Sequence, residues 1–92
     1  TAHPGITRGG HYHNTKCEKF LVIHGKAKFK FKNIISKKYW EKVSSDNNPE
    51  IIESIPGWSH NITNIGNDEL KVLVWSNEVF DKNNPDTYRS EV

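Results

Sequence analysis

Residues 5–25 read GITRGGHYHNTKCEKFLVIHG, and this stretch decides the fold of the chain. His11 and His13 are two positions apart, so their side chains point to the same face of an extended strand. A short polar break follows them at residues 14–16. A hairpin at that break would lay the carboxylate of Glu18 beside the two imidazoles. The spacing therefore predicts a cluster of ligand side chains on β-strands.

A fourth candidate ligand occurs much later, in PGWSHNITN at residues 56–64, where His60 follows a turn and begins a strand-like run. An isolated histidine is more often a surface or hydrogen-bonded residue than a ligand. Three imidazoles and one carboxylate, however, suit divalent Zn, Mn, Fe, Co or Ni. Zinc is our first expectation, although the sequence does not choose among these ions. The predicted ligands are His11, Glu18 and His60, which are the firmer ones, and His13.

Strand signals dominate the rest of the chain. Residues 20–23 are rich in β-formers, and residues 27–32 alternate apolar and basic side chains, which predicts that Ala27, Phe29 and Phe31 face inward. Further strands are predicted at 34–43, 50–55, 58–63 and 70–75, separated by a loop at 44–49 and turns at 56–57 and 66–68. The tail at 77–92, with Phe80 and Tyr88, is expected to pack as a clasp or short helix. Short strands without a convincing helix predict an all-β antiparallel sandwich or jelly roll.

Composition narrows the class of protein. Ninety-two residues permit one domain with a modest core, so a metal or a neighbouring surface is expected to contribute to stability. A net charge of +2 is too balanced to indicate nucleic-acid binding. The single cysteine, Cys17, excludes an internal disulfide and indicates a reducing, cytoplasmic location. The sequence has neither a signal segment nor an apolar run long enough to span a membrane. A start at Thr1, without methionine, suggests an excised C-terminal fragment of a larger protein.

The two histidine motifs resemble those of the cupin superfamily, G-x5-H-x-H-x3,4-E-x6-G and P-x-G-x2-H-x3-N. The second motif departs from the pattern only at Pro56, which directly precedes the glycine. This resemblance implies that residues 1–92 form a single cupin domain, a cupin-type antiparallel β-barrel or jelly roll whose interior is the ligand pocket. The matching positions are Gly5, His11, His13, Glu18 and Gly25 in the first motif, and Gly57, His60 and Asn64 in the second.

A second resemblance narrows the chemistry. RGGHY at residues 8–12 resembles the R-G-x-H-Y-Q signature of deoxysugar-nucleotide epimerases, whose signature histidine is a base that needs no metal; here His13 replaces the glutamine. The chain from Gly5 to Val92 is similar to the C-terminal cupin domain of CapF-type capsular polysaccharide synthesis enzymes. That similarity implies C3-epimerisation of a UDP-4-keto-6-deoxy-N-acetylhexosamine on the route to UDP-N-acetyl-L-fucosamine. An N-terminal short-chain dehydrogenase domain would then reduce C4.

Epimerisation beside a ketone requires an enolate, which a divalent metal stabilises as a Lewis acid, so that a base with a pKa near neutrality suffices. His13 is the candidate base if it is not a ligand. The candidate acids, which the sequence does not rank, are Tyr12, Lys16, Lys19 and Tyr39. Arg8 is predicted to bind the diphosphate, or else a carboxylate at the barrel rim. Trp58, two residues before His60, is a predicted substrate contact, whereas Trp40 and Trp75 are expected in the core or an interface.

Two other classes of function remain open. One is a metal-dependent dioxygenase or oxidase, because the same ligand set also supports redox chemistry. The other is a non-catalytic cupin that binds a small molecule or mediates dimerisation. The RGGHY signature favours the epimerase. The small size of the domain and the strand at 70–75, which is apolar on both faces, favour a homodimer.

Overall fold

Eight strands form two antiparallel sheets in the computed structural model, which describes residues 1–77 and 86–92. The five-stranded sheet has the order β4-β3-β6-β1-β8, and the three-stranded sheet has the order β5-β2-β7. No described residue is helical, so none belongs to a helix that crosses a membrane. The strands are β1 (Thr7–Tyr12), β2 (Glu18–His24), β3 (Lys26–Asn33), β4 (Tyr39–Ser45), β5 (Ile52–Ser54), β6 (Trp58–Asn64), β7 (Lys71–Ser76) and β8 (Tyr88–Arg89).

The core lies between the two sheets and follows the alternation in β3. Ala27, Phe29 and Phe31 are 0%, 1% and 3% exposed, which confirms the predicted inward face. Phe20 of the opposite sheet meets Phe29 with ring centroids 5.7 Å apart. Burial of each phenylalanine contributes roughly 2 to 3 kcal/mol of hydrophobic free energy. The all-β jelly-roll prediction is therefore confirmed.

Strand β1 contains a β-bulge that decides which side chains face the interior. Arg8 pairs with Ile62 and His11 with His60, so three residues of β1 span two of β6. In a regular strand, residues three positions apart, such as Arg8 and His11, lie on opposite faces. The bulge places both of them on the inward face. The bulge requires glycine at Gly9, because its φ is +116° and an added Cβ would lie 2.6 Å from the carbonyl oxygen of His60.

The connection from β1 to β2 crosses between the sheets. Because β1 is paired on both edges, with β6 and β8, it has no free edge for β2. Strand β2 pairs instead with β5 and β7. The predicted hairpin between His13 and Glu18 is therefore wrong, and Glu18 approaches the imidazoles from the opposite sheet.

Two other predicted elements differ from the structure: the strand at 34–43 and the C-terminal tail. The strand predicted at 34–43 begins with a turn at 34–36, where the side-chain oxygen of Asn33 accepts hydrogen bonds from the amides of Ile35 and Ser36. Strand β4 then continues through Ser45, into the predicted loop. In the tail, the short β8 pairs with β1 instead of forming a helix at those positions. Phe80 lies outside the described residues.

Strand β7, which was predicted from its apolar residues, is the edge of the three-stranded sheet. Leu73, Val74 and Trp75 are therefore 51%, 52% and 42% exposed. This edge leaves apolar surface available to another protein surface.

Candidate metal centre

Three imidazoles and one carboxylate converge between the sheets. One potential ligand atom from each side chain lies within 4.8 Å of those of the others. His11 and His60 are direct cross-strand partners, with ring centroids 4.6 Å apart. The four residues are those that the sequence predicted: His11, His13, Glu18 and His60.

His13 is held from both sides. Its side chain is 2% exposed, and its Nδ1 makes a short hydrogen bond with the backbone carbonyl oxygen of Asp86. Because a carbonyl only accepts, Nδ1 must donate, which leaves Nε2 to face the other ligands. Nε2 lies 2.6 Å from Oε1 of Glu18. A metal-binding histidine is oriented in this way, through a second hydrogen bond on its remote nitrogen.

His60 has an equivalent arrangement. Its Nδ1 lies 2.9 Å from Oγ of the buried Ser54, and its Nε2 lies 3.5 Å from Oε1 of Glu18. Burial, reinforced by the neighbouring His11, lowers the pKa of His60 to about 4. Burial and the nearby His13 also lower the pKa of His11. Both imidazoles are therefore neutral at pH 7, which is the form that binds metals.

The donor set fits a divalent ion. Metal bonds of about 2.1 Å place neighbouring ligand atoms roughly 3 to 4 Å apart, and the four atoms here lie within 4.8 Å of one another. Nitrogen donors with one carboxylate oxygen suit ions of the zinc class. Two of the histidines, His13 and His60, have their second nitrogen held by a hydrogen-bond partner, so little rearrangement is needed to bind an ion.

A cavity of about 240 Å³ opens over this cluster. Its wall is mainly apolar, and such surroundings strengthen electrostatic interactions with a ligand because they exclude water. The polar lining residues are Thr1, Arg8, His11, Glu18 and His60. The apolar ones are Ala2, Phe20, Ile62, Leu70, Val72 and Val74. His13 is absent from the described lining.

The predicted substrate contacts separate in the structure. Arg8 reaches the cavity because the bulge turns it inward. Trp58 instead lines a second cavity with Phe31 and Trp40, and it packs against the hydrophobic core. Trp58 is the first residue of β6, where it pairs with Asn33, whereas His60 pairs with Phe31 two residues further along the strand.

The two other histidines, His3 and His24, and Cys17 are not among the residues that line the cavity. His24 sits 3.2 Å from Asp68 at a barrel end, His3 is exposed, and Cys17 is half-buried beside Asn77. The four candidate acids are all absent from the described cavity lining, namely Tyr12, Lys16, Lys19 and Tyr39.

Sequence reasoning missed two residues that form hydrogen bonds with the candidate ligands, Ser54 and Asp86. Ser54 follows Ile52 on the inward face of β5, where a polar residue is a signal of a buried partner. Asp86 carries no local pattern that indicates its role. Its carboxylate accepts backbone hydrogen bonds, above all from Thr15, and these hold the pKa of the carboxyl far below its usual range.

Comparisons with known proteins identify relatives along the whole chain. A family model described as "Polysaccharide biosynthesis C-terminal domain" matches residues 1–88. The chain is 56% identical over 92 residues to a UDP-2-acetamido-2,6-beta-L-arabino-hexul-4-ose reductase of Pseudomonas aeruginosa and spans 25% of that protein.

Solved structures agree with this match. The crystal structure of the capsular polysaccharide assembling protein CapF from Staphylococcus aureus superposes with a TM-score of 0.96 at 42% identity, over 99% of this chain and 26% of that one. A sugar 3,4-ketoisomerase, QdtA from Thermoanaerobacterium thermosaccharolyticum, shares the fold with a TM-score of 0.77 at 20% identity, over 98% of this chain and 61% of that one. The chain thus spans about a quarter of the length of the reductase and of CapF.

Proposed function

Because the chain belongs to the polysaccharide biosynthesis C-terminal domain family, we propose that it is the epimerase domain of a bifunctional sugar-nucleotide epimerase and reductase. The proposed reaction is metal-dependent C3-epimerisation of a UDP-4-keto-6-deoxy-N-acetylhexosamine, which precedes C4 reduction to UDP-N-acetyl-L-fucosamine for capsule synthesis. The observation that carries the proposal is the cluster of three imidazoles and a carboxylate at an apolar cavity that also receives an arginine. The name of the reductase relative supports a UDP-linked 4-keto sugar.

In this proposal the ion is held by those clustered residues that do not serve as the base, drawn from His11, His13, Glu18 and His60. A divalent ion, with zinc as the first candidate, would supply a Lewis acid beside the C4 ketone and lower the energy of the enolate. Elemental analysis of His60→Ala and Glu18→Ala tests the assignment. Both variants should lose most of the metal, and full occupancy in both would overturn it.

Arg8 is proposed to bind the diphosphate. Its guanidinium presents a planar fork of donors that matches phosphate oxygens, and its strand position directs it toward the same cavity as His11. Arg8→Lys keeps the charge but loses the fork, so it should raise KM for the UDP-sugar more than it lowers kcat. An equal KM for Arg8→Ala and the wild type would exclude this role.

The base that removes the C3 proton is proposed to be a histidine of the cluster. His13 is the sequence-based candidate, although its Nδ1 is engaged by Asp86 and its Nε2 by Glu18. His11, which lines the cavity, is the alternative. The two assignments differ in a measurable way: replacing the base by glutamine should abolish proton exchange while metal content persists, whereas replacing a ligand should lower both.

The experiment that tests the function is solvent exchange. The metal-loaded domain is incubated in heavy water with a UDP-4-keto-6-deoxy-N-acetylhexosamine, and deuterium at C3 is followed by NMR. We expect deuterium incorporation without a nicotinamide cofactor, its loss in the chelated domain and its return with added ion. Absence of exchange in the metal-loaded wild type would refute the epimerase and leave an oxidase or a binding module.

The partners of the domain are also proposals. The product would pass to an N-terminal short-chain dehydrogenase domain of the same protein, in the cytoplasm, where the single cysteine stays reduced. We propose that two copies associate through the exposed side chains of β7, including Leu73 and Trp75. Light scattering on Leu73→Glu would then show a shift from dimer to monomer.

A further inference from the structure

We propose that Asp86 is a positioning residue for the metal centre, which fixes both the ring of His13 and the loop that leads from His13 to Glu18. This inference rests on the proposed metal site and adds a residue to it from the C-terminal segment. Asp86 lies more than sixty residues away in the chain from the ligands it serves.

The side chain of Asp86 holds the loop through four hydrogen bonds. Its Oδ1 accepts the amide of Asn14 at 2.9 Å. Its Oδ2 accepts the amide and hydroxyl of Thr15, at 2.7 and 2.9 Å, and the amide of Lys16 at 2.9 Å. Three successive amides thus converge on one carboxylate, which is an anion-binding arrangement of the backbone.

The backbone of Asp86 acts on the ligand itself. Its carbonyl oxygen accepts the hydrogen of Nδ1 of His13, and the hydroxyl of Thr87 lies 3.5 Å from the same nitrogen. One residue therefore sets the tautomer and rotation of His13 with its main chain, while its side chain shapes the following loop. Because residues 14–16 join His13 to Glu18, this clamp also restricts the separation of the two ligands, whose Nε2 and Oε1 lie 2.6 Å apart.

The need of the loop amides for hydrogen-bond acceptors does not explain why the Asp86 carboxylate binds them. Asn14 and Thr15 are exposed, so water would serve their amides if the carboxylate were absent. Water, however, is not covalently linked to the carbonyl group of Asp86 that accepts the hydrogen bond from His13. The contribution of Asp86 is therefore geometric, and a geometric role at a metal ligand changes metal affinity and the ligand field.

The test compares Asp86→Ala with Asp68→Ala. Asp68 is a matched control, since its carboxylate also accepts a backbone amide, that of Glu69 at 2.8 Å, but it lies beside His24, away from the cluster. Affinity for Zn²⁺ is measured by competition with a chromophoric chelator, and the visible absorption of the Co²⁺-loaded protein reports the ligand geometry. We expect Asp86→Ala to bind Zn²⁺ about 10- to 100-fold more weakly, with an altered Co²⁺ spectrum. Asp68→Ala should match the wild type in both.

Asp86→Asn provides a second variant should the alanine variant fail to fold. It keeps one acceptor oxygen in the side chain, so its Zn²⁺ affinity should fall between those of the wild type and Asp86→Ala. Wild-type affinity and an unchanged Co²⁺ spectrum in a folded Asp86 variant would overturn the inference and leave the proposed metal site intact. Absence of Zn²⁺ binding by the wild type would instead overturn the metal site itself, and the inference with it.

Discussion

The hydroxyl of Ser54 lies 2.9 Å from Nδ1 of His60, and both side chains are buried. Ser54→Ala would remove the partner that keeps Nε2 of His60 directed at Glu18. We expect a roughly 10-fold loss of Zn²⁺ affinity and a loss of about 1 kcal/mol in the free energy of unfolding. Chelator competition and urea denaturation measure these two quantities.

Ser44→Ala is the matched control for that variant. The hydroxyl of Ser44 is equally buried, but it has no hydrogen-bond partner among the residues that the structure describes. Its removal should leave metal affinity unchanged and stability equal or slightly higher. Equal loss of affinity in both variants would show that the Ser54 contact does not act on the metal centre.

Gly9→Ala should destabilise the domain strongly. The residue has a φ of +116°, and the added Cβ would lie 2.6 Å from the carbonyl oxygen of His60. Backbone strain and the clash together should cost roughly 3 kcal/mol or more. The control is Gly5→Ala, where φ is +82° but no atom lies within 4 Å of the added Cβ. It should cost only about 1 to 2 kcal/mol, and thermal unfolding that ranked the two in the opposite order would contradict the bulge geometry.

Chelation should lower the melting temperature. The four candidate ligands come from or adjoin β1, β2 and β6, so an ion would join the two sheets. An ion present at a hundred times its Kd contributes about 2.7 kcal/mol, which corresponds to roughly 10 to 20 °C in a domain of this size. Calorimetry of the protein before chelation, after it and after metal return measures the shift. An identical melting curve after verified removal would mean that the sheets hold together without the ion.

Asn64→Ala should destabilise the fold, although none of the described hydrogen-bond partners of Asn64 belongs to the candidate metal cluster. The side chain is 1% exposed; its amide nitrogen donates to the carbonyls of Ala2 and Asp68, and its oxygen accepts from the amide of Gly66. Loss of these bonds should cost roughly 2 to 4 kcal/mol. Asn61→Ala is the comparison, because the buried side-chain oxygen of Asn61 has no partner within the described ranges. A smaller cost at Asn64 than at Asn61, measured by urea denaturation, would be inconsistent with this role.

The fold was predictable where alternation is regular. Strand β3 shows why, since each apolar residue of residues 27–31 faces the core and each lysine faces outward. The turn at Ile35 was not predictable from hydrophobicity, because the local hydrogen bonds of Asn33 outweigh the burial of an isoleucine that is 87% exposed. The change of sheet after His13 depends on which strand occupies each edge of β1, and pairing over long distances leaves no local signal.

The candidate site was predictable to a similar degree. Spacing predicted that four side chains would lie together, and the structure places their potential ligand atoms within 4.8 Å of one another. The supporting residues Ser54 and Asp86 escaped, because each acts through one contact made by the tertiary fold. Trp58 was placed by counting along one strand, whereas its position is decided by the core beside Phe31.

The extra glycine in β1 also fixes the distance between two side chains that face the cavity. Arg8 and His11 stand opposite Ile62 and His60, two residues apart on β6, so their backbone anchor points are separated by about 7 Å instead of the roughly 10 Å that three regular residues would span. A ligand that engages both side chains must match this shorter interval. Under the proposed role of Arg8, the bulge thus sets the distance between the anionic group of a ligand and the part that meets the histidines, whereas three regularly paired residues would place Arg8 and His11 farther apart and on opposite faces.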